Sequence, residues 1–492
     1  MLVALLGLSG LLLYLCPPGS WPVGYDVWWN LHMAGRFASE GFPASAPEAA
    51  FTPLAEHFAS RQLGFHYWLA LLGIDEPGRV WIGLQLALLV QLLCLGQALR
   101  WLAPKLSPLA LLALPLLSAT WLFRLCALRD LPLATGPLLL LAAALARPEG
   151  REAGRRLWAF ALAALYVYLH AAVVLPLGIA GLCLAGRWLE SRRLDWACGL
   201  SVLAGIALAL LARPDIPQIW SLLWTLNFSL PFAAATGELP LVPLEYASYP
   251  FAMLWRWELG SLLALALLAY ALLRGWGRRG ILLPAMFVLL ASLGSRRLFE
   301  LAAPLALLAL CTLPASRAFR SWPKLALGLA LLFVPFLAFQ LPRIERSSEA
   351  NRQRIYPKLA SFLLEEGRPG DLVFTFDWAD SAGLAFATRG SFLRFTGMSD
   401  PSLMWAQDPA RFRDWLSIKE ARAEDPLHLL RERLGVRFVV IDQRETRAGN
   451  ASGSTVTWLL QQFHEAERRG AVFVWQRQGS RLLIRLGAAS VR

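Results

Sequence analysis

The chain has 492 residues, 57% of them hydrophobic and only 16% charged, with a formal net charge of +13 and a mean hydropathy of +0.49. A soluble domain carries about a quarter charged residues, so composition excludes a wholly soluble protein. The positive charge does not indicate nucleic acid: most basic residues of the first 341 positions lie in short inter-helix loops, and no basic cluster interleaves with aromatics.

In chain order, the apolar run 1–16 is read as an uncleaved first span. No Lys or Arg precedes it and no A-x-A-like site follows Pro17-Pro18. Apolar runs follow at 80–99, 106–122, 131–146, 157–170, 171–186, 196–212, 259–273, 280–295, 298–314 and 325–341. Several are shorter than the roughly 20 residues that span hydrocarbon, and 157–186 reads as one long helix or as two divided near His170. Loop charge favours two. With odd helices running outward, the inner loops 100–105, 147–156, 187–193, 274–279 and 317–324 hold 15 of the 24 basic residues in positions 1–341 and three of the 16 acidic ones. That bias is the positive-inside pattern. The N-terminus is then cytoplasmic, and the long loops 17–77 and 213–258 face outward together with everything after 341. All six Cys lie in or beside apolar runs without metal-type spacing, so they read as packing residues.

From 342 to 492 the charge density is that of a soluble domain, with 23 Lys+Arg and 18 Asp+Glu in 151 residues. Alternating patterns predict helices at 355–366, 426–434 and 456–468, and strands at 371–376, 392–396 and 436–442. A hairpin of 472–476 and 482–486 flanks Gly479. No GxGxxG fingerprint or P-loop occurs, so no nucleotide site is expected. The expected fold class is an α-helical polytopic membrane protein of about eleven transmembrane helices, residues 1–341. A C-terminal α/β domain follows at 342–492, periplasmic or extracytoplasmic.

The first outer loop has the densest polar and aromatic content: Gly24-Tyr25-Asp26-Val27-Trp28-Trp29-Asn30-Leu31-His32, then Gly35-Arg36, Phe51-Thr52, Glu56-His57 and Gly64-Phe65-His66-Tyr67-Trp68-Leu69. A carboxylate such as Asp26 near the membrane surface can take a proton from an acceptor hydroxyl or hold a divalent cation. Equally, it can cap an interfacial helix anchored by Trp28 and Trp29. Arg124, Arg129 and Asp130 lie in the next outer loop, where a charge pair closing a turn is the plain alternative. Arg296 and Arg297 stand on the outer side against the loop-charge bias. They suit a phosphate, since Arg offers a fork of donors, or snorkel while paired with Glu300. Glu56, His57 and His66 are weaker candidates, His170 reads as interfacial, and Glu238, Glu245 and Glu258 are not distinguished from one another.

The Asp-x-Trp-Trp-x-Leu…Gly-Arg segment, the Phe-Thr pair and the His-x-Trp-Leu ending resemble the first outer loop of bacterial membrane glycosyltransferases of the GT-C superfamily. The tail segments Asp377-Trp378-Ala379-Asp380, Gly397-Met398-Ser399-Asp400-Pro401 and Trp405-Ala406-Gln407-Asp408-Pro409 add to the likeness. The resemblance implies transfer of a sugar from a polyprenyl-phosphate-linked donor to a glycan, lipid or protein acceptor at the outer face of a bacterial inner membrane. It implies Asp26 as base or metal ligand, Asp130 as a second acidic residue and, in metal-using relatives, a divalent cation (Mg or Mn) on the two. Arg296 and Arg297, with Arg129, Glu56, His57 and His66 as further candidates, would bind substrate. Asn30 stands where Trp-Trp-His is usual, with His32 two residues on. Two other classes remain open: a transporter or flippase of lipid-linked saccharides, and a non-catalytic envelope-assembly protein.

Overall fold

The computed structural model describes residues 1–20, 23–24, 26–106, 108–147, 152–239, 248–313, 335–350, 356–376, 378–398, 401–442, 451–469, 471, 473–478 and 481–486. They fall into two compact units.

The first unit comprises Met1–Gly24, Arg61–Ile216 and Val242–Arg352 and is helical. Its helices include Leu2–Leu15, Leu63–Leu71, Val80–Leu102, Leu131–Ala146, Glu152–Leu169, Val174–Ser191, Trp196–Leu211, Phe251–Leu273, Arg279–Gly294 and Phe299–Cys311. The apolar stretch 157–186 is divided between two of them. The break is held by His170 N donating to Tyr166 O (2.7 Å) and Ala171 N to Arg61 O (2.8 Å). By length and composition, two helices among the described residues suffice to cross a membrane, Pro77–Leu102 and Phe251–Leu273. A third candidate is the pair Pro108–Leu117 and Ala119–Leu125, bent by 99°. Leu2–Leu15, Leu131–Ala146, Trp196–Leu211 and Arg279–Gly294 are apolar but shorter. Most of the 325–341 run lies outside the described residues.

Two helices show how apolar sequence is used differently. Leu131–Ala146 buries every residue but Leu140. Phe251–Leu273 leaves Leu259, Leu263, Leu267, Tyr270 and Leu273 exposed. An apolar flank of that size is costly in water and neutral in hydrocarbon, which suits a span at the lipid boundary.

The second unit joins Tyr25–Ser60 and Pro217–Leu241 to Gln353–Arg492. Its five-stranded sheet has the order β2-β1-β3-β5-β4, with β1 Leu372–Thr375, β2 Arg394–Phe395, β3 Val436–Asp442, β4 Phe473–Gln478 and β5 Arg481–Leu486. β1 pairs parallel with β2 and β3, and β5 antiparallel with β3 and β4, in the register Val439↔Ile484 and Val474↔Arg485. The strongly β-branched 436–442 run forms β3 over the expected residues, because β-branched side chains fit a pleated, buried surface. Helices Pro357–Glu366 and Ala451–Arg468 match the expected amphipathic ones, whereas Trp378–Ala387, Pro401–Gln407 and Pro409–Lys419 were not foreseen. Segments 25–60 and 217–241 pack into the same core: Ala50, Phe51, Leu230, Ala233 and Leu239 lie among Phe374, Trp415, Val439 and Ile484.

Candidate functional site

Within the first unit, several candidates converge on Asp130. It precedes the helix Leu131–Ala146 but makes no side-chain cap, because its carboxylate is turned inward. Oδ2 pairs with His170 Nδ1, and Oδ1 accepts from Gln62 Nε2 at 2.9 Å. Burial alone would raise the pKa of this 1%-exposed carboxyl. The charge and hydrogen bond of His170, and the charges of Arg61 and Arg297, instead hold it down at about 2. It is therefore a permanent carboxylate. His66 lies close enough to feel Asp130, but burial dominates and lowers it to about 4, so it is neutral. Tyr166, one helical turn before His170, meets its ring edge-on at 5.9 Å, and among the described residues its buried hydroxyl has no hydrogen-bond partner. Gly64 admits this packing: a Cβ there would come within 2.9 Å of the Tyr168 ring and 3.0 Å of its carbonyl oxygen. Asp130, His66 and Arg297 are thus brought together. His170 is a buried partner rather than an interfacial residue.

Arg296 and Arg297 lie in the short turn Arg296–Leu298 between Arg279–Gly294 and Phe299–Cys311, both half-buried. Arg296 rests on the Tyr249 ring at 4.4 Å and donates Nη2 to Ser248 O at 3.1 Å. The Tyr249 hydroxyl is 2.9 Å from Thr120 Oγ1. Thr120 N in turn donates to Glu258 Oε1 at 3.2 Å, and that carboxylate also accepts from Ser118 Oγ (3.0 Å) and Ser261 Oγ (2.9 Å). Glu258 is fully buried at a non-helical break in Phe251–Leu273. Two residues on, a Cβ at Gly260 would lie 2.0 Å from Leu116 O. The joint therefore fixes the bend at Ser118. Beyond the bend, Arg124 pairs with Glu300, with Arg129 Nη1 at 4.0 Å from the same oxygen.

In the second unit, Asp26 is the half-buried first residue of the helix Asp26–Glu40, where a carboxylate meets the positive end of the helix dipole. Trp28 packs on Phe386 at 5.2 Å. His32 Nε2 is 2.8 Å from Glu48 Oε1, which also accepts from Arg36 Nη1 at 3.1 Å. Burial would raise Glu48, but the His32 hydrogen bond and the charges of His32 and Arg36 hold it below the usual glutamate value. Its backbone oxygen accepts from Phe395 N at 2.9 Å, and Ala49 bridges to Phe395. The segment around Glu48 is thereby tied to the edge strand β2. Glu56 and His57 are exposed on this unit and join neither cluster. Of the tail motif residues, Asp380 forms a buried two-pronged pair with Arg481 at 2.9 and 3.0 Å. Asp408 caps Pro409–Lys419. Asp377, Ser399 and Asp400 lie outside the described residues.

The chain matches the crystal structure of the Archaeoglobus fulgidus oligosaccharyltransferase in the apo form with a TM-score of 0.61 at 13% identity, over 100% of this chain and 75% of that one. It matches ArnT from Cupriavidus metallidurans bound to undecaprenyl phosphate with a TM-score of 0.56 at 15% identity, over 99% and 98%. Both are GT-C glycosyltransferases. The chain shares the fold of these two structures. No family model and no curated protein matches it by sequence. The largely helical first unit and the small sheet of the second agree with that fold.

Among the described residues, no group of three or more His, Cys, Asp or Glu side chains is arranged to hold a metal. Asp130 does not fit the cation that the GT-C resemblance implies for it. Both its oxygens already accept hydrogen bonds, and two guanidinium charges act on it. Sequence reasoning missed Arg61, Gln62 and Tyr166 near Asp130, and Glu48 beside His32. The four-residue spacing of Tyr166 and His170 was the available signal, since residues so spaced share a helix face.

Proposed function

We propose that this protein is a membrane glycosyltransferase that takes a sugar from a polyprenyl-phosphate-linked donor and passes it to a glycan, lipid or protein acceptor. One observation carries the reading: the chain fits glycosyltransferase structures along its whole length, one of them with undecaprenyl phosphate bound. Arg296 and Arg297 would engage the donor phosphate, since paired guanidinia match phosphate oxygens. Asp26 would take the acceptor's proton, at the outer face of a bacterial inner membrane. Arg129 and His66 would support the donor side, and Glu56 and His57 the acceptor.

The test uses purified protein in nanodiscs with a radiolabelled polyprenyl-phosphate sugar. Asp26→Asn should retain expression and thermal stability while transfer falls about 10²–10⁴-fold. Arg296→Ala and Arg297→Ala should raise the donor KM, with the Lys variants intermediate. Reporter fusions at Arg151, Arg192 and Arg278 should report cytoplasm, and fusions after Leu341 the outer side. Full activity in a folded Asp26→Asn protein removes the base assignment, and a cytoplasmic tail removes the outer-face reading.

A further inference from the structure

We infer that Glu258 is a positioning residue, held as the neutral acid, that fixes the Tyr249 ring beside the Arg296 guanidinium and so prepares Arg296 for an oxyanion. The inference rests on the phosphate-bearing donor proposed above, and it adds Thr120, Tyr249 and Glu258 to that site.

The supply of protons sets the state of Glu258. Ser118 Oγ and Thr120 N both donate to its Oε1, at 3.0 and 3.2 Å. Ser261 Oγ stands between two acceptors, Glu258 Oε2 at 2.9 Å and Leu117 O at 2.8 Å, and a hydroxyl has one proton to give. An ionised Glu258 would compete with Leu117 O for it. The neutral acid ends the competition: Oε2–H donates to Ser261 Oγ, and Ser261 donates to Leu117 O. Glu258 is also fully buried, and its partners among the described residues are hydroxyls and an amide rather than a cation. A charge placed there would be uncompensated, which is costly.

The acid joins two breaks, the 99° bend at Ser118 and the non-helical residue within Phe251–Leu273. Its hold on the Thr120 amide carries outward. Thr120 Oγ1 lies 2.9 Å from the Tyr249 hydroxyl, and the Tyr249 ring meets the fully buried Phe299 at 6.2 Å between centroids. The ring, held at both places, carries the Arg296 guanidinium 4.4 Å from its centroid, a cation–π contact. Arg296 Nη2 donates to Ser248 O at 3.1 Å, and among the described residues its buried Nε has no hydrogen-bond partner. No carboxylate among those residues pairs with Arg296, whereas Arg124 and Arg129 share Glu300. A guanidinium held on a ring without a counter-charge keeps its attraction for an oxyanion, and a donor without an acceptor adds to it.

The experiment uses the full-length protein in nanodiscs. Undecaprenyl phosphate affinity is measured by native mass spectrometry and inorganic phosphate by competition. The carbonyl stretch of a protonated carboxylic acid is read as the infrared difference between wild type and Glu258→Gln. Arg296→Ala should weaken the lipid about tenfold. Glu258→Ala, Thr120→Val and Tyr249→Phe should each weaken it roughly three- to tenfold. Thr120→Val and Tyr249→Phe together should cost no more than either alone, because they remove the same hydrogen bond. Glu258→Gln should restore most of the affinity, since its amide supplies the same acceptor and donor as the neutral acid. Wild type should show the acid band that Glu258→Gln lacks. Should Glu258→Ala not fold, Thr120→Val and Tyr249→Phe decide. A missing acid band, or Glu258→Gln as damaging as Glu258→Ala, overturns the inference. Affinity that falls in Arg296→Ala but holds in Glu258→Ala, Thr120→Val and Tyr249→Phe overturns it alone and leaves the donor site intact. A wild type that binds neither phosphate, or an Arg296→Ala protein that loses nothing, removes the donor-phosphate reading of Arg296 and this inference with it. Inorganic phosphate bound without the lipid, and lost in the same variants, leaves the inference standing and overturns the lipid-linked donor instead.

Discussion

The two units each bury an acidic residue against a histidine, Asp130 with His170 in one and Glu48 with His32 in the other. The surroundings separate them. Around Glu48 the charges nearly balance: Arg36 donates to both Glu48 and Glu40, and the Glu48 backbone extends the sheet edge at Phe395. Around Asp130 the charges of Arg61 and Arg297 add to that of His170, and the carboxylate also accepts from Gln62. A buried acid–imidazole pair is therefore no functional signature by itself. What else reaches the pair, and whether its backbone is engaged in secondary structure, tell one setting from the other.

The comparison can be broken most forcefully at a third carboxylate, Glu300, which partners two arginines. Glu300→Ala removes a buried carboxylate from beside the half-buried Arg124 and Arg129, and losing one partner of a buried pair costs about 3–5 kcal/mol. Thermal unfolding in detergent should show a large fall in Tm; an unchanged Tm would mean that the cluster around the bend is not an energetic joint.

His66 comes next. Its folded value of about 4 lies below the unfolded 6.5, so the unfolded chain binds the proton first as the pH falls. Its contribution is complete above pH 6.5 and is lost toward pH 4, at most roughly 3 kcal/mol at about 1.4 kcal/mol per unit. His66→Gln should flatten the stability profile across that window. An identical profile in the variant would show that His66 is hydrated.

Glu48 is also held low when folded, so its contribution is present above the ordinary glutamate range and fades as acid titrates the folded group. Glu48→Gln should cost about 1–3 kcal/mol at pH 7 and remove the acid-side slope of this unit. Hydrogen exchange at Phe395 should speed up with it, because that amide donates to the Glu48 backbone. The smallest effect belongs to the exposed pair: Glu56→Gln and His57→Ala should change stability by no more than about 0.5 kcal/mol, and a larger loss would place them in a contact.

Much of this was legible from residue patterns, for identifiable reasons. The strand 436–442 announced itself because β-branched runs have few other uses. The helix break near His170 followed from loop charge rather than from hydropathy, which is uniform across 157–186. Asp130, Arg297 and His66 were each picked out singly, but their convergence depends on three chain segments that no local pattern links. Glu258 was indistinguishable from Glu238 and Glu245 because its role lies in Ser118 and Thr120, about 140 positions away. The helices Trp378–Ala387, Pro401–Gln407 and Pro409–Lys419 escaped because each is short and capped by its context rather than strongly periodic.

The three-segment composition of the second unit has a consequence for biosynthesis. Residues 25–60 leave the ribosome long before their partners, since the segment from Gln353 onward is made nearly 300 residues later. At about 5–20 residues per second the delay is roughly 15–60 s. Throughout it, Trp28 lacks Phe386 and the Glu48 carbonyl lacks Phe395. Residues 25–60 must wait as an unfinished half of a fold until the final strands arrive to close it.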